Sequence, residues 1–226
     1  MEVVANRHSA EPARNSGTEP SMGTFSKPAE RGHRFIPTLY KSDDSDTNFM
    51  ASRVIEWLGD HRTDDWFMHC VFLRPHPPVI TPEPYNALYD PAKVPLPRRK
   101  ATPAEEAAQH PLLAQWIKAL SRPNHYDEHN PNHLVDMPEL ELRQMRACYY
   151  GMISEVDDAV GRIVAHLKAT DEYAHTLIVF TCDHGEMGGD HYVWGKELYF
   201  DQSFHIPLIV RDPRPAADAA RGDLVD

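Results

Sequence analysis

Residues 176–196 read TLIVFTCDHGEMGGDHYVWGK, and the fold turns on them. The first seven positions are a short apolar run with polar neighbours, the pattern of a strand buried on both faces. The chain then passes at once to Asp183, His184 and a glycine-rich loop, and a third apolar run, IPLIV, follows at 206–210. N-terminal to this stretch, residues 139–169 hold the clearest helix. Leu142, Met145, Tyr149, Met152, Val156, Val160, Ile163 and Leu167 step by three or four and draw one apolar stripe.

Further upstream, SDTNFMASRVIEWLGD predicts a helix capped by Ser45 or Asp46, with Met50, Val54, Ile55 and Leu58 inward and Gly59 at its stop. WFMHCVFL, residues 66–73, has the length and composition of another strand buried on both faces. Nine prolines lie between Pro75 and Pro103, so that stretch cannot be regular helix or central strand. It predicts a stiff surface excursion. A weaker helix over 104–120 is interrupted by Pro111, and RPNHYDEHNPNH reads as loop. Residues 1–36, rich in Ser, Pro, Gly and charge, predict a disordered or irregular segment ahead of one domain over 37–226.

Strand, long helix, strand, loop, strand predicts an α/β domain with a largely parallel sheet. Ligands of such sheets bind beyond the carboxyl ends of the strands. LRPHPP and TCDHGE occupy those ends.

The chain has 226 residues, with 34 acidic and 23 basic side chains and a net charge of −11. An acidic chain without a basic stripe is a poor nucleic-acid binder. No apolar run approaches the length of about 18 residues needed to span a bilayer, and the N-terminus lacks the apolar core of a secretory signal. Cys70, Cys148 and Cys182 form no CxxC pair, so reduced core thiols in a cytoplasmic protein are expected. Subunit arrangement is not readable.

Asp183 and His184, a carboxylate beside an imidazole at a strand end, suit a divalent cation of intermediate hardness, and Gly185 gives the backbone freedom to turn there. An N-capping aspartate with an incidental histidine is the alternative. Lys196, delivered by a loop with Gly188, Gly189 and Gly195, can bind an anionic oxygen or stabilise a leaving group, although a lone lysine is usually a solvated charge. His76, held among Pro75, Pro77 and Pro78, suits positioning or proton transfer near neutral pH. Asp190 and His191 can orient such ligands or simply hydrogen-bond within the loop. His125, His129 and His133 are spaced by four, but Pro131 breaks the helix that would align them. No GxSxG, P-loop or HExxH motif is present.

As a set, T-x-DHGE-x-x-G-DH-x-x-x-GK followed by SFHIPLIV resembles the C-terminal part of a sulfatase catalytic domain. LRPHPP and the SDTNFMASRVIEWL helix are closer to the phosphonate monoester hydrolases of that group. YYGMISEVDDAVGRIVAHL is similar to the long helix before their metal-binding strand. The resemblance covers about Lys41 to Asp212. It implies an alkaline-phosphatase-like α/β sandwich that hydrolyses small anionic sulfate, phosphate or phosphonate esters at a divalent metal, manganese or calcium foremost. It implies Asp183 and His184 as metal ligands, with His76 and Lys196 on the ester's non-bridging or leaving-group oxygens. Glu197 and Asp201 receive no role.

The sequence also departs from that family. Its members use a formylglycine formed in a Cys-x-Pro-x-Arg or Cys-x-Ala-x-Arg setting, and aspartates after an N-terminal strand. Neither motif is present. Cys70-Val-Phe-Leu-Arg74 has the spacing, but Phe72 replaces the small residue or proline and the segment reads as buried strand. The expectation is a part of the catalytic domain that carries half of the metal site and lacks the nucleophile, or else an inactive remnant binding a metal or anion weakly.

Overall fold

The computed structural model describes residues 38–120, 135–196 and 198–214. Helix α1 spans Asp46–Asp60, and Ser45 caps it by accepting the Asn48 N–H at 3.2 Å. It buries Ala51, Val54 and Leu58 and continues past Gly59 to Asp60. Where one interrupted helix was expected, the prolines at 103 and 111 each begin a helix. These are α2 (Pro103–Ala107) and α3 (Pro111–Leu120). Proline suits the first helical turn, where an N–H has no partner to lose.

Helix α4 (Glu139–Ala169) is the backbone of the domain. Its N-terminal half buries Leu142, Met145, Cys148 and Met152 against Val79, Met137 and Trp194. Farther along, Leu167 and Ile163 pack with Val54, Leu58, Trp66, Met68 and Cys70. The expected stripe shifts in between. Val156 and Val160 are only half-buried, while Glu155 and Ala159 are buried. Gly151 allows the turn at Tyr85–Ala87 to press on the helix, since a Cβ there would lie 2.2 Å from the Tyr85 carbonyl oxygen. Arg162 ties α4 to α1 through the Asn48 Oδ1 at 2.7 Å and Ser52 Oγ at 2.9 Å.

After α4 come strand β1 (Ile178–Thr181), the one-turn helix α5 (Asp201–Phe204) and strand β2 (Leu208–Arg211). The two strands pair antiparallel, with Ile178 opposite Arg211 and Thr181 opposite Leu208. A parallel pair needs a crossover that returns the chain to its starting end. Residues 182–207 instead fold back on themselves, so the chain re-enters from the end it left. The Thr181 hydroxyl donates to the Pro207 carbonyl at 2.9 Å and closes that end.

Residues 66–73 do not form the expected strand with two buried faces. They run extended and belong to no ladder among the described residues. Trp66, Met68 and Cys70 lie against α1 and α4, whereas Phe67, Val71 and Leu73 point outward, 71%, 60% and 68% exposed. The alternation is that of a strand with one face covered. All three cysteines are free. None of the described helices is long and apolar enough to cross a membrane. His125, His129, His133 and Glu197 lie outside the described residues, as do residues 1–37.

Candidate active site

Asp183 lies two residues beyond the end of β1, and its Oδ1 accepts the N–H of His184 at 3.0 Å. The His184 Nδ1 lies 2.8 Å from the Gly185 carbonyl oxygen. A carbonyl can only accept, so Nδ1 carries the proton and Nε2 presents its lone pair. That nitrogen lies 3.6 Å from Asp183 Oδ2, and the Asp183 side chain is 88% exposed. One imidazole nitrogen and one carboxylate oxygen are therefore presented side by side, with the tautomer set by the other ring nitrogen as in metal-bound histidines. This donor set fits a divalent cation, but it is half a site. No cluster of three or more His, Cys, Asp or Glu able to hold a metal occurs among the described residues.

Gly185 serves close packing and not the unusual turn expected of it. Its N–H donates to the Ser203 carbonyl at 2.9 Å, and a Cβ would fall 1.9 Å from the Gln202 carbonyl oxygen. Gly185, beside Asp183 and His184, is thus clamped to α5.

The glycine-rich loop then doubles back. The Met187 N–H donates to the Gly195 carbonyl at 2.8 Å, and the Glu186 Oε1 accepts from Gly188 N at 3.0 Å and Gly195 N at 2.7 Å. Gly195, at φ 86°, makes the left-handed step that this return requires. Lys196 is the next residue. The structure therefore joins the segment after His184 to the residue before Lys196 by backbone and carboxylate bonds. Lys196 itself is exposed.

His76 sits on the turn after the extended segment, its N–H donating to Leu73 O at 3.1 Å. Its Nδ1 lies 2.8 Å from Pro77 O, which again leaves Nε2 as the outward nitrogen. Arg74 holds this loop by donating to the carbonyls of Pro78 and Ile80, each at 3.0 Å, and to the Tyr40 hydroxyl at 3.2 Å. A cavity of about 160 Å³ separates the two loops, with Pro77 on one side and Glu186, Met187 and Gly188 on the other. Tyr149 lines it, its phenol pushed well above the usual range by burial and then by the Glu186 charge.

Asp190 is a structural hub. Its Oδ1 accepts from Arg146 Nη1 at 3.1 Å and Arg98 N at 3.2 Å, and its Oδ2 from Gln202 Nε2 at 2.8 Å. Arg146 also donates to Gly188 O at 2.7 Å. Of the two roles open to Asp190, hydrogen bonding within and around the loop is the one these bonds display. Arg74, Arg146 and Glu186 had no sequence signal, because each binds backbone groups, which no side-chain pattern marks. The Cys182 thiol is pushed up by burial and by Asp183, and the Cys70 thiol by burial, so neither is poised as a thiolate nucleophile.

The sequence pattern of the Sulfatase family matches residues 7–223, and the chain belongs to that family. It is 39% identical over 176 residues to the multifunctional alkaline phosphatase superfamily protein PehA of Trinickia caryophylli, covering 78% of this chain and 34% of that protein. The phosphonate monoester hydrolase of Silicibacter pomeroyi superposes with a TM-score of 0.76 at 39% identity, over 84% of this chain and 37% of that one. The corresponding enzyme of Agrobacterium radiobacter gives 0.74 at 42% identity, over 84% and 38%. The chain thus spans little more than a third of the length of these relatives.

Proposed function

We propose that this chain is the metal-and-lysine half of a hydrolase of small anionic sulfate, phosphate or phosphonate esters. The observation that carries the proposal is the joined loop. Asp183 and His184 present Oδ2 and Nε2 3.6 Å apart, and Glu186 binds the amide of Gly195, next to Lys196, at 2.7 Å. Asp183 and His184 would hold a divalent cation, manganese or calcium, which would supply Lewis acidity at the transferred group. Lys196 offers an ammonium to a non-bridging or leaving-group oxygen. His76, with Nδ1–H given to Pro77 O, turns Nε2 outward, where it can accept a proton or, once protonated, donate one. Further metal donors and the nucleophile would come from sequence outside this chain. In the complete domain, residues 66–73 and β1 would take places in a largely parallel sheet. Three free thiols fit a reducing, cytoplasmic setting.

Manganese titrated calorimetrically into the purified chain should bind weakly, and Asp183→Ala or His184→Ala should abolish that binding. Equal binding by wild type and variants would remove the metal role. The chain alone should hydrolyse neither aryl sulfate nor aryl phosphonate with manganese or calcium. Turnover lost in Asp183→Ala would show instead that the site is complete.

A second reading, an inactive remnant, is favoured by the pair of donors standing without a third among the described residues. DNA sequence on both flanks separates the two. An upstream strand–aspartate motif followed by Cys-x-Pro-x-Arg supports the enzyme, and verified stops without it support the remnant.

A further inference from the structure

Lys196 rides on the loop 191–200, and the two ends of that loop are stacked on each other. The imidazole of His191 lies face to face on the Phe200 ring, with centroids 3.8 Å apart and planes 6° from parallel. His191 is fixed from behind by Glu106 of α2. Its Nδ1 lies 2.8 Å from Glu106 Oε1. Glu106 is 1% exposed and also accepts from Lys100 N at 2.5 Å and from the side-chain amide of Gln109. These donors keep the carboxylate ionised, and an ionised carboxylate only accepts, so His191 is the donor in their pair.

The backbone at this neck is strained. His191 and Tyr192 have φ of 55° and 60°, a left-handed region that is costly for a residue with a Cβ. Such strain persists only where the surroundings hold it, and they do so here: the His191 N–H donates to Arg98 O at 2.9 Å, and the Tyr192 hydroxyl donates to Lys100 O and Ala101 O at 3.0 Å. Phe200 leads into α5, the same element that clamps Gly185 beside the metal pair. One stack thus closes the lysine loop and connects it to the packing around Asp183 and His184.

From this arrangement we infer that Glu106, His191 and Phe200 are positioning residues that hold Lys196 in one place relative to Asp183 and His184. The inference rests on the reading of Lys196 as an ester-contacting group, but its test does not depend on turnover. Lysines of the full chain are reductively dimethylated with ¹³C, and the Lys196 signal is assigned by its loss in Lys196→Arg. In the wild type that signal stands apart from the envelope of exposed lysines. In His191→Ala and Phe200→Leu it collapses into the envelope, while Phe200→Tyr, which preserves the stack, leaves it displaced.

Circular dichroism checks that each variant is folded. If His191→Ala does not fold, the Phe200→Leu and Phe200→Tyr comparison decides the matter. A Lys196 signal unchanged in a folded Phe200→Leu overturns the inference, as does a wild-type signal already inside the envelope. Phenylphosphonate added with manganese to the same wild-type sample reports separately on the ester role. A Lys196 signal that ignores the phosphonate but still needs the stack defeats the role and leaves the brace standing.

Discussion

Arg146 of α4 and Asp190 of the glycine-rich loop meet at 3.1 Å with only 16% and 9% of their side chains exposed. Removing one partner of a buried ion pair leaves the other uncompensated and costs about 3–5 kcal/mol. Asp190→Ala should lower stability by that order in urea unfolding, since it also orphans Gln202 and the Arg98 N–H. A loss within the ~1 kcal/mol of an exposed pair would contradict the buried assignment.

Gly185→Ala tests the clamp between the metal pair and α5. The added methyl must displace the Gln202 backbone, because no rotamer can move it away from a carbonyl 1.9 Å distant. Overpacking of this kind costs about 1–3 kcal/mol. The variant should also lose the weak manganese affinity expected of Asp183 and His184. Wild-type calorimetry and an unchanged urea midpoint would show that α5 yields freely.

Tyr85 supplies a pH signature. Burial, with the hydrogen bond to Asp158 Oδ2 at 2.6 Å behind it, pushes the phenol up to about 12. The folded state therefore retains the proton longer than the unfolded chain, whose tyrosines ionise near pH ~10. Its contribution is complete below about pH 10 and is lost as the pH rises to about 12, on the order of 2 kcal/mol. Urea unfolding of wild type should weaken over that window by more than Tyr85→Phe does. Parallel declines would rule out the shift.

The bare side of residues 66–73 makes a prediction about association. Phe67, Val71 and Leu73 expose an apolar row, and Val179 and Ile209 expose more on the two-stranded ribbon. Such surface drives self-association when nothing covers it. Sedimentation of the isolated chain should show concentration-dependent oligomers that Val71→Lys with Leu73→Lys reduces. A monodisperse wild-type monomer at all concentrations would refute this.

Helical parts of the chain were legible because their signals are local. Ser45 caps α1, and the spacing from Leu142 to Met152 announces the buried half of α4. The Asp183–His184 pair was legible as adjacent donors at a strand end. Strand pairing was not, because direction depends on how residues 182–207 fold back, and no periodicity encodes that. Residues 66–73 misled for a related reason. Their composition suits burial on both faces, but the described residues cover only one. Arg146 and Glu106 were silent because they bind groups tens of residues away, and Glu186 because its partners are backbone amides that no side-chain pattern marks.

Helix α4 acts as a ruler for both halves of the site. Arg146 reaches Gly188 and Asp190, while two positions later the Cys148 thiol donates to Val79 O at 3.4 Å in the loop beyond His76. Two residues advance a helix by only ~3 Å and turn it by ~200°. The separation of the histidine turn from the metal loop is thereby written into peptide geometry and not into loop length. One residue inserted between 146 and 148 would rotate every later contact by ~100°, parting Cys148 from Val79 and Gly151 from Tyr85 together.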